Sequence, residues 1–166
     1  MPTSLPERVD VQRAAAAGRE FSGRFALDNC KRLAGMLVDT SGEVSYSLAF
    51  DRAMTGTPKV RVEADVELPL LCQSTLERFL HPVSIRSDIG FIWREEDESS
   101  LPAGLEPAMV GEDGIDPLAL IEDELILAVP VLPRRPDAPT MEASYAPTED
   151  KPNPFAALAK MKQQAG

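Results

Sequence analysis

From Val60 to Leu68 the chain alternates without a break. Val60, Val62, Ala64, Val66 and Leu68 fall on one side, Arg61, Glu63, Asp65 and Glu67 on the other. Side chains of a strand point alternately to its two faces, so this segment must lie in a sheet with one buried face and one wet face, the habit of antiparallel sheets. A second segment, Glu43–Asp51, repeats the pattern: Val44, Tyr46, Leu48 and Phe50 oppose Ser45, Ser47 and Ala49. Between the two, Asp51–Pro58 carries Gly56 and reads as a hairpin loop. A third strand is expected over residues 19–27, with Phe21, Gly23, Phe25 and Leu27 on one side. A weaker one runs from Arg78 to Trp93.

A half-buried sheet needs a cover, and the helical signals supply it. Asp10 can cap a short helix that Gly18 ends, and Asp28 can cap another holding Cys30, Leu33 and Met36. The clearest helix starts at Asp116, with Pro117 at the first helical position, where the missing N–H costs nothing. Ile115 and Leu120 are spaced as a hydrophobic staple. Leu118, Ile121, Leu125 and Ala128 form one apolar stripe, and Pro130 stops the helix at Val129. Glu95–Gly114 has little periodicity and reads as a long loop. The expected fold is therefore α+β, an antiparallel β-sheet covered by helices, over about residues 8–133. Residues 134–150, rich in Pro, Ala and Thr, read as a disordered linker. In residues 151–166 Asn153 can cap a short helical motif, with Pro154 at its start and Phe155, Leu158 and Met161 on one side. The whole tail is expected to be flexible.

Little in the chain carries chemistry. His81 is the one histidine and is followed by Pro82; a lone imidazole in this setting is far more often a surface residue than a base. No nucleophile elbow and no phosphate-cradling glycine loop occur. Zinc sites take four Cys or His ligands at set spacing, and only Cys30, Cys72 and His81 are present. The consecutive acids Glu122, Asp123 and Glu124 point about 100° apart on a helix, so they cannot converge on one cation. They read either as a solvated face or as a docking patch, with Glu122 about 60° from Leu125 at the margin of the apolar stripe. No catalytic residue, cofactor or metal is expected, and no apolar run is long enough to span a bilayer. With only two cysteines and no secretory leader at the start of the sequence, a reduced, cytoplasmic setting is expected.

Charge narrows the partners. Seventeen Lys and Arg stand against 27 Asp and Glu, so the net charge is 17 − 27 = −10. Eleven of the acids fall between Glu95 and Glu124, and no Lys or Arg occurs from 95 to 133. Affinity for nucleic acid rests on cations that neutralise phosphates, so such a surface favours basic partners.

The run Gly114-Ile115-Asp116-Pro117-Leu118-Ala119-Leu120-Ile121-Glu122-Asp123-Glu124-Leu125 and the ending Lys151-Pro152-Asn153-Pro154-Phe155-Ala156-Ala157-Leu158 resemble the signatures of the YceD family. Arg32-Leu33, Phe50-Asp51 and Leu71-Cys72-Gln73 with Leu76-Glu77 are supporting marks. The resemblance implies a non-enzymatic role in the synthesis, processing or stability of the large-subunit (23S) ribosomal RNA. The family commonly has Cys-x-x-Cys where this chain reads Cys72-Gln73-Ser74-Thr75. Many members also have a histidine where it reads Pro133-Arg134-Arg135-Pro136. A metal is therefore not expected here.

Resemblance and charge together point to a basic ribosomal protein or ribosome assembly factor as the partner, with ribosomal RNA reached indirectly. The candidate docking residues are Glu122, Asp123, Glu124, Pro152, Asn153, Pro154, Phe155 and Leu158. Two alternatives stay open. One is a direct RNA-binding module built on Arg13, Arg19, Arg24, Lys31 and Arg32; the other is an enzyme whose site has no recognisable motif. The sequence leaves the oligomeric state open.

Overall fold

The computed structural model describes residues 5–139. In chain order its elements are α1 (Val11–Ala16), β1 (Glu20–Ala26), a 3₁₀ turn (Leu27–Asn29), α2 (Lys31–Ala34), β2 (Glu43–Arg52), β3 (Pro58–Leu71), β4 (Arg78–Ile92), a second 3₁₀ turn (Glu95–Ser100), β5 (Glu106–Met109) and α3 (Pro117–Ala128). The strands form one five-stranded sheet in sequence order, antiparallel from β1 to β4, with β5 parallel to β4. The chain is α+β, as its patterning implies.

The alternation becomes a two-faced sheet. Val44, Leu48, Val60, Val62 and Leu68 are wholly buried, and Phe50 and Ala64 nearly so. Phe50 stacks on Phe91 at 6.2 Å and meets the edge of Phe21 at 5.9 Å. On the other face charges pair across strands: Arg61 with Asp88 at 2.9 Å and Arg86 with Glu63 at 3.3 Å. Helix α1 lies against β2 and β3, and α3 against β4 and α2. As expected, the Asp10 carboxylate accepts the Arg13 N–H at 3.1 Å, and Asp116 accepts from Leu118 and Ala119 at 2.9 and 3.1 Å.

Three sequence expectations need correction. The acidic stretch after β4 is not a plain loop, because it folds back and adds β5 to the sheet. A parallel neighbour needs a crossover of about a dozen residues, which the stretch supplies. Gly90 makes the return possible. A Cβ there would lie 2.8 Å from Leu101 and 3.2 Å from Leu105, two apolar residues that press onto the strand. Secondly, Asp28 caps no helix. It sits in the 3₁₀ turn and takes the Lys31 ammonium at 3.5 Å, while Cys30 occupies the capping position with no side-chain hydrogen bond. Thirdly, Met36 is exposed, although Cys30 and Leu33 are fully buried as their spacing required.

The compact unit runs from the N-terminus to Pro136. Within it, Pro133 accepts the Gln73 N–H at 2.9 Å. The rest of the expected linker from residue 140, and the whole 151–166 motif with its candidate docking residues, lie outside the described residues.

Helix α3 is fixed by its stripe. Ile121 and Leu125 are fully buried, Pro117 is buried, and Leu118 and Ala128 are half-buried. Leu125→Ala is expected to cost about 2–5 kcal/mol, the range for core leucines that leave a cavity. Urea denaturation measures it, and an unchanged midpoint would show the stripe to be dispensable to the core.

Candidate functional site

Helix α3 is held in place at both ends of its first two turns. Ahead of it, Ile115 and Val9 exchange backbone hydrogen bonds at 2.9 and 3.0 Å. This close approach requires Gly114, whose φ is +80° and where a Cβ would sit 2.2 Å from the Val9 carbonyl oxygen. No side chain fits there, and the backbone conformation is itself one that favours glycine. The bridge fixes where the Asp116 cap begins and hence which residues of α3 face inward.

One turn beyond Pro117, the carboxylate of Glu122 is drawn under the fold. The residue is 6 % exposed, the one charged residue in the core among the described residues. Its Oε1 accepts the backbone N–H of Arg32 at 2.7 Å and that of Leu33 at 3.0 Å; its Oε2 accepts Arg32 Nε at 3.1 Å. Those two N–H groups belong to the second and third residues of α2, the ones a capping side chain normally satisfies. Cys30 offers no acceptor, so α3 caps α2 from outside. Arg32 then reaches on, giving Nη1 to Asp123 at 2.6 Å and Nη2 to the Ala119 carbonyl at 3.2 Å. Glu124 accepts the Ser87 hydroxyl of β4.

The three candidate acids thus have three environments. Glu122 is buried and satisfied within the chain, Glu124 is half-buried against the sheet, and Asp123 stays exposed beside Arg32. Sequence reasoning placed Glu122 at the stripe margin but did not connect it to Arg32, 90 positions away. The available signal was an acid at that margin together with a short helix lacking a capping residue. The clasp also sets the chemistry of Cys30. Burial, with the nearby Glu122 charge adding to it and Arg32 opposing it, pushes its thiol up to about 11.

The stretch after β4 presents acids at the surface. Glu95, Glu96, Asp97, Glu98, Glu106, Glu112 and Asp113 are all exposed, and among the described residues none of them makes an ion pair. Their charge is not neutralised by direct pairing among the described residues. The cations named for RNA binding are partly spent: Lys31 pairs with Asp28, and Arg32 with Glu122 and Asp123.

Against this background the comparisons with known proteins are decisive. Residues 59–162 match the family described as large ribosomal RNA subunit accumulation protein YceD. A relative from Haemophilus influenzae, named large ribosomal RNA subunit accumulation protein YceD, is 30% identical over 96% of this chain and 97% of its own. The chain belongs to the YceD family. No solved structure matches it.

Several of the YceD-like residues that lie among the described residues hold the fold together. Gly114, Ile115 and Asp116 form the bridge and cap, and Arg32, Leu33 and Glu122 form the clasp. Cys72 lies in the turn between β3 and β4, where relatives commonly carry a second cysteine. The set of groups around it does not fit zinc. Its sulfur accepts the Arg135 N–H at 3.5 Å, the hydroxyls of Ser74 and Thr75 are buried in the same turn, and no group of three or more His, Cys, Asp or Glu is gathered among the described residues. Arg135 also pairs with Glu77. The polar shell, chiefly the Arg135 N–H and then the Thr75 hydroxyl, lowers the Cys72 thiol to about 7 against the opposing effect of burial.

Two measurements check this geometry. Glu122→Ala leaves the N–H groups of Arg32 and Leu33 without an acceptor and is expected to cost at least about 1–3 kcal/mol. Glu122→Gln, which keeps an oxygen at that place, should cost less, and Asp123→Asn should leave the urea midpoint nearly unchanged. Thiolate absorbance should rise in one step near pH 7 that Cys72→Ser removes, with no second step until about pH 11. The sign for stability follows. Cys72 in the folded chain gives up its proton before it does so unfolded, so its contribution grows as pH rises from about 7 toward the ordinary thiol range. Cys30 does the reverse, and its contribution falls as pH rises from that range toward about 11.

Proposed function

We propose that this protein supports accumulation of large-subunit ribosomal RNA as a non-catalytic binding factor of the cytoplasm. On this reading it works through a basic ribosomal protein or assembly factor. Family membership supports the rRNA role. The observation that carries the choice of partner is the set of seven exposed carboxylates from Glu95 to Asp113 that make no ion pair among the described residues. Unpaired charges of one sign steer an oppositely charged protein into contact and repel a phosphate backbone. On α3, Asp123 is exposed beside Arg32 and serves on this reading as a further docking residue, with Glu122 and Glu124 holding its helix in place. The tail motif Pro152, Asn153, Pro154, Phe155 and Leu158 serves on this reading as a second docking element, an apolar helix face presented to the partner.

Direct RNA contact is the second reading, and one feature favours it. Arg8, Arg13 and Arg19 line a single hollow of about 470 Å³ beside α1, and none of them makes an ion pair among the described residues. Three cations are few for tight RNA binding, because each neutralised phosphate adds only one step of salt-dependent affinity. An enzymatic reading gains nothing from the structure: His81 is half-exposed with its ring edge-on to Phe79 at 6.2 Å. No helix of the described residues is long and apolar enough to cross a membrane.

The test is capture of partners from a bacterial lysate, with and without nuclease. A basic protein retained after nuclease, and lost when Glu95, Glu96 and Glu98 become Gln and Asp97 becomes Asn, is the expected result. The same variant, or one lacking residues 151–166, should fail to restore large-subunit rRNA in a strain without the native gene. Capture abolished by nuclease and by Arg8→Ala, Arg13→Ala and Arg19→Ala would establish the RNA reading instead.

A further inference from the structure

The sheet has two edges, and they are treated differently. At β5 the edge is four residues long and carries Pro107, which has no N–H to offer; short strands and prolines are the usual means of closing an edge. At β1 the edge is seven residues long and has no proline. Among the described residues β1 pairs with β2 alone. The hydrogen bonds at its ends fix which groups are free. Phe50 donates to the Arg19 carbonyl and Leu27 to that of Gly42. Bonded positions alternate in an antiparallel ladder, so 19, 21, 23, 25 and 27 face β2. The N–H and C=O groups of Glu20, Ser22, Arg24 and Ala26 therefore point outward, and all four residues are exposed.

The side chains on this edge are arranged in a self-matching way. Glu20, Ser22 and Arg24 share the sheet's polar face. Their neighbours on β2 are Ala49, Ser47 and Ser45, none of which can pair with a charge. Neither Glu20 nor Arg24 makes an ion pair within the described residues. Charges on an edge strand normally discourage pairing. Here one register turns them into attraction. If a second copy lies antiparallel with Ser22 opposite Ser22, Glu20 of each chain falls opposite Arg24 of the other. Phe21 then falls opposite Gly23 on the apolar face. The position with outward-facing backbone groups is the one on the two-fold axis, so Ser22 meets Ser22 as a hydrogen-bonded pair.

We propose that the protein forms a symmetric dimer in which two β1 edges pair antiparallel about Ser22, joining the two sheets into one. This goes beyond the proposed function and does not depend on it. Three hydrogen-bonded pairs give about six backbone bonds, with an ion pair at each end. The opposed charges sit closer than a Debye length, about 8 Å at physiological salt, whereas the repulsion between the two acidic bodies acts over longer distances and is screened.

Sedimentation across a concentration series reads the equilibrium. The wild-type protein should pass from monomer to dimer. Glu20→Arg and Arg24→Glu, each placing like charges opposite one another, should raise the dissociation constant at least about tenfold. The double variant Glu20→Arg with Arg24→Glu restores both pairs and should restore the dimer. Ser22→Cys should crosslink through residue 22 under mild oxidation, since the paired Cα atoms would lie about 5.5 Å apart. Cys30 and Cys72 are fully buried, and the wild-type chain is the control. Circular dichroism confirms that each variant is folded. A wild-type chain that stays monomeric overturns the proposal, as does a dimer indifferent to the single reversals or a Ser22→Cys chain that does not crosslink. An edge occupied only when a foreign peptide is added overturns it in favour of that partner.

Discussion

The arrangement of this molecule turns on one carboxylate. Glu122 lies in the apolar interior because two backbone N–H groups of α2 need an acceptor that α2 does not provide. A buried charge is costly unless it is fully hydrogen-bonded, and here both oxygens are engaged. The consequence reaches further than one bond. Docking Glu122 places α2 and α3 side by side over the sheet, brings Arg32 out to Asp123, and leaves Cys30 in a site where its thiol resists ionisation.

From that clasp outward the charges are sorted. Cross-strand ion pairs neutralise the polar face of the sheet at β3 and β4. Arg78 pairs with Asp39 across the β4 start and holds that carboxyl well below its usual range. The carboxylates from Glu95 to Asp113 have no such partner among the described residues. A fold that neutralises its acids in one region and leaves them bare in another has a directional field.

The turn at Cys72 is tied to the segment after α3 by the Arg135 N–H on the sulfur and by the Arg135–Glu77 pair. Hydrogen bonds to the sulfur outweigh its burial and lower the thiol to about 7.

Much of the fold was legible in the sequence because it is local. Period-two alternation set β2 and β3, including the face that each residue would occupy, and caps at Asp10 and Asp116 set the starts of α1 and α3. The stripe through Ile121 and Leu125 announced which side of α3 would be buried. What the sequence did not show depends on residues distant along the chain. β5 is four residues with no usable period, and its place beside β4 is decided by Leu101 and Leu105 closing over Gly90. The end of Asp28's expected role and the burial of Glu122 are a single event, visible only once α3 lies on α2. Periodicity reports which face of an element is apolar. It carries no record of which polar group on another element, 90 positions away, will complete that face, because that choice is made by packing in three dimensions.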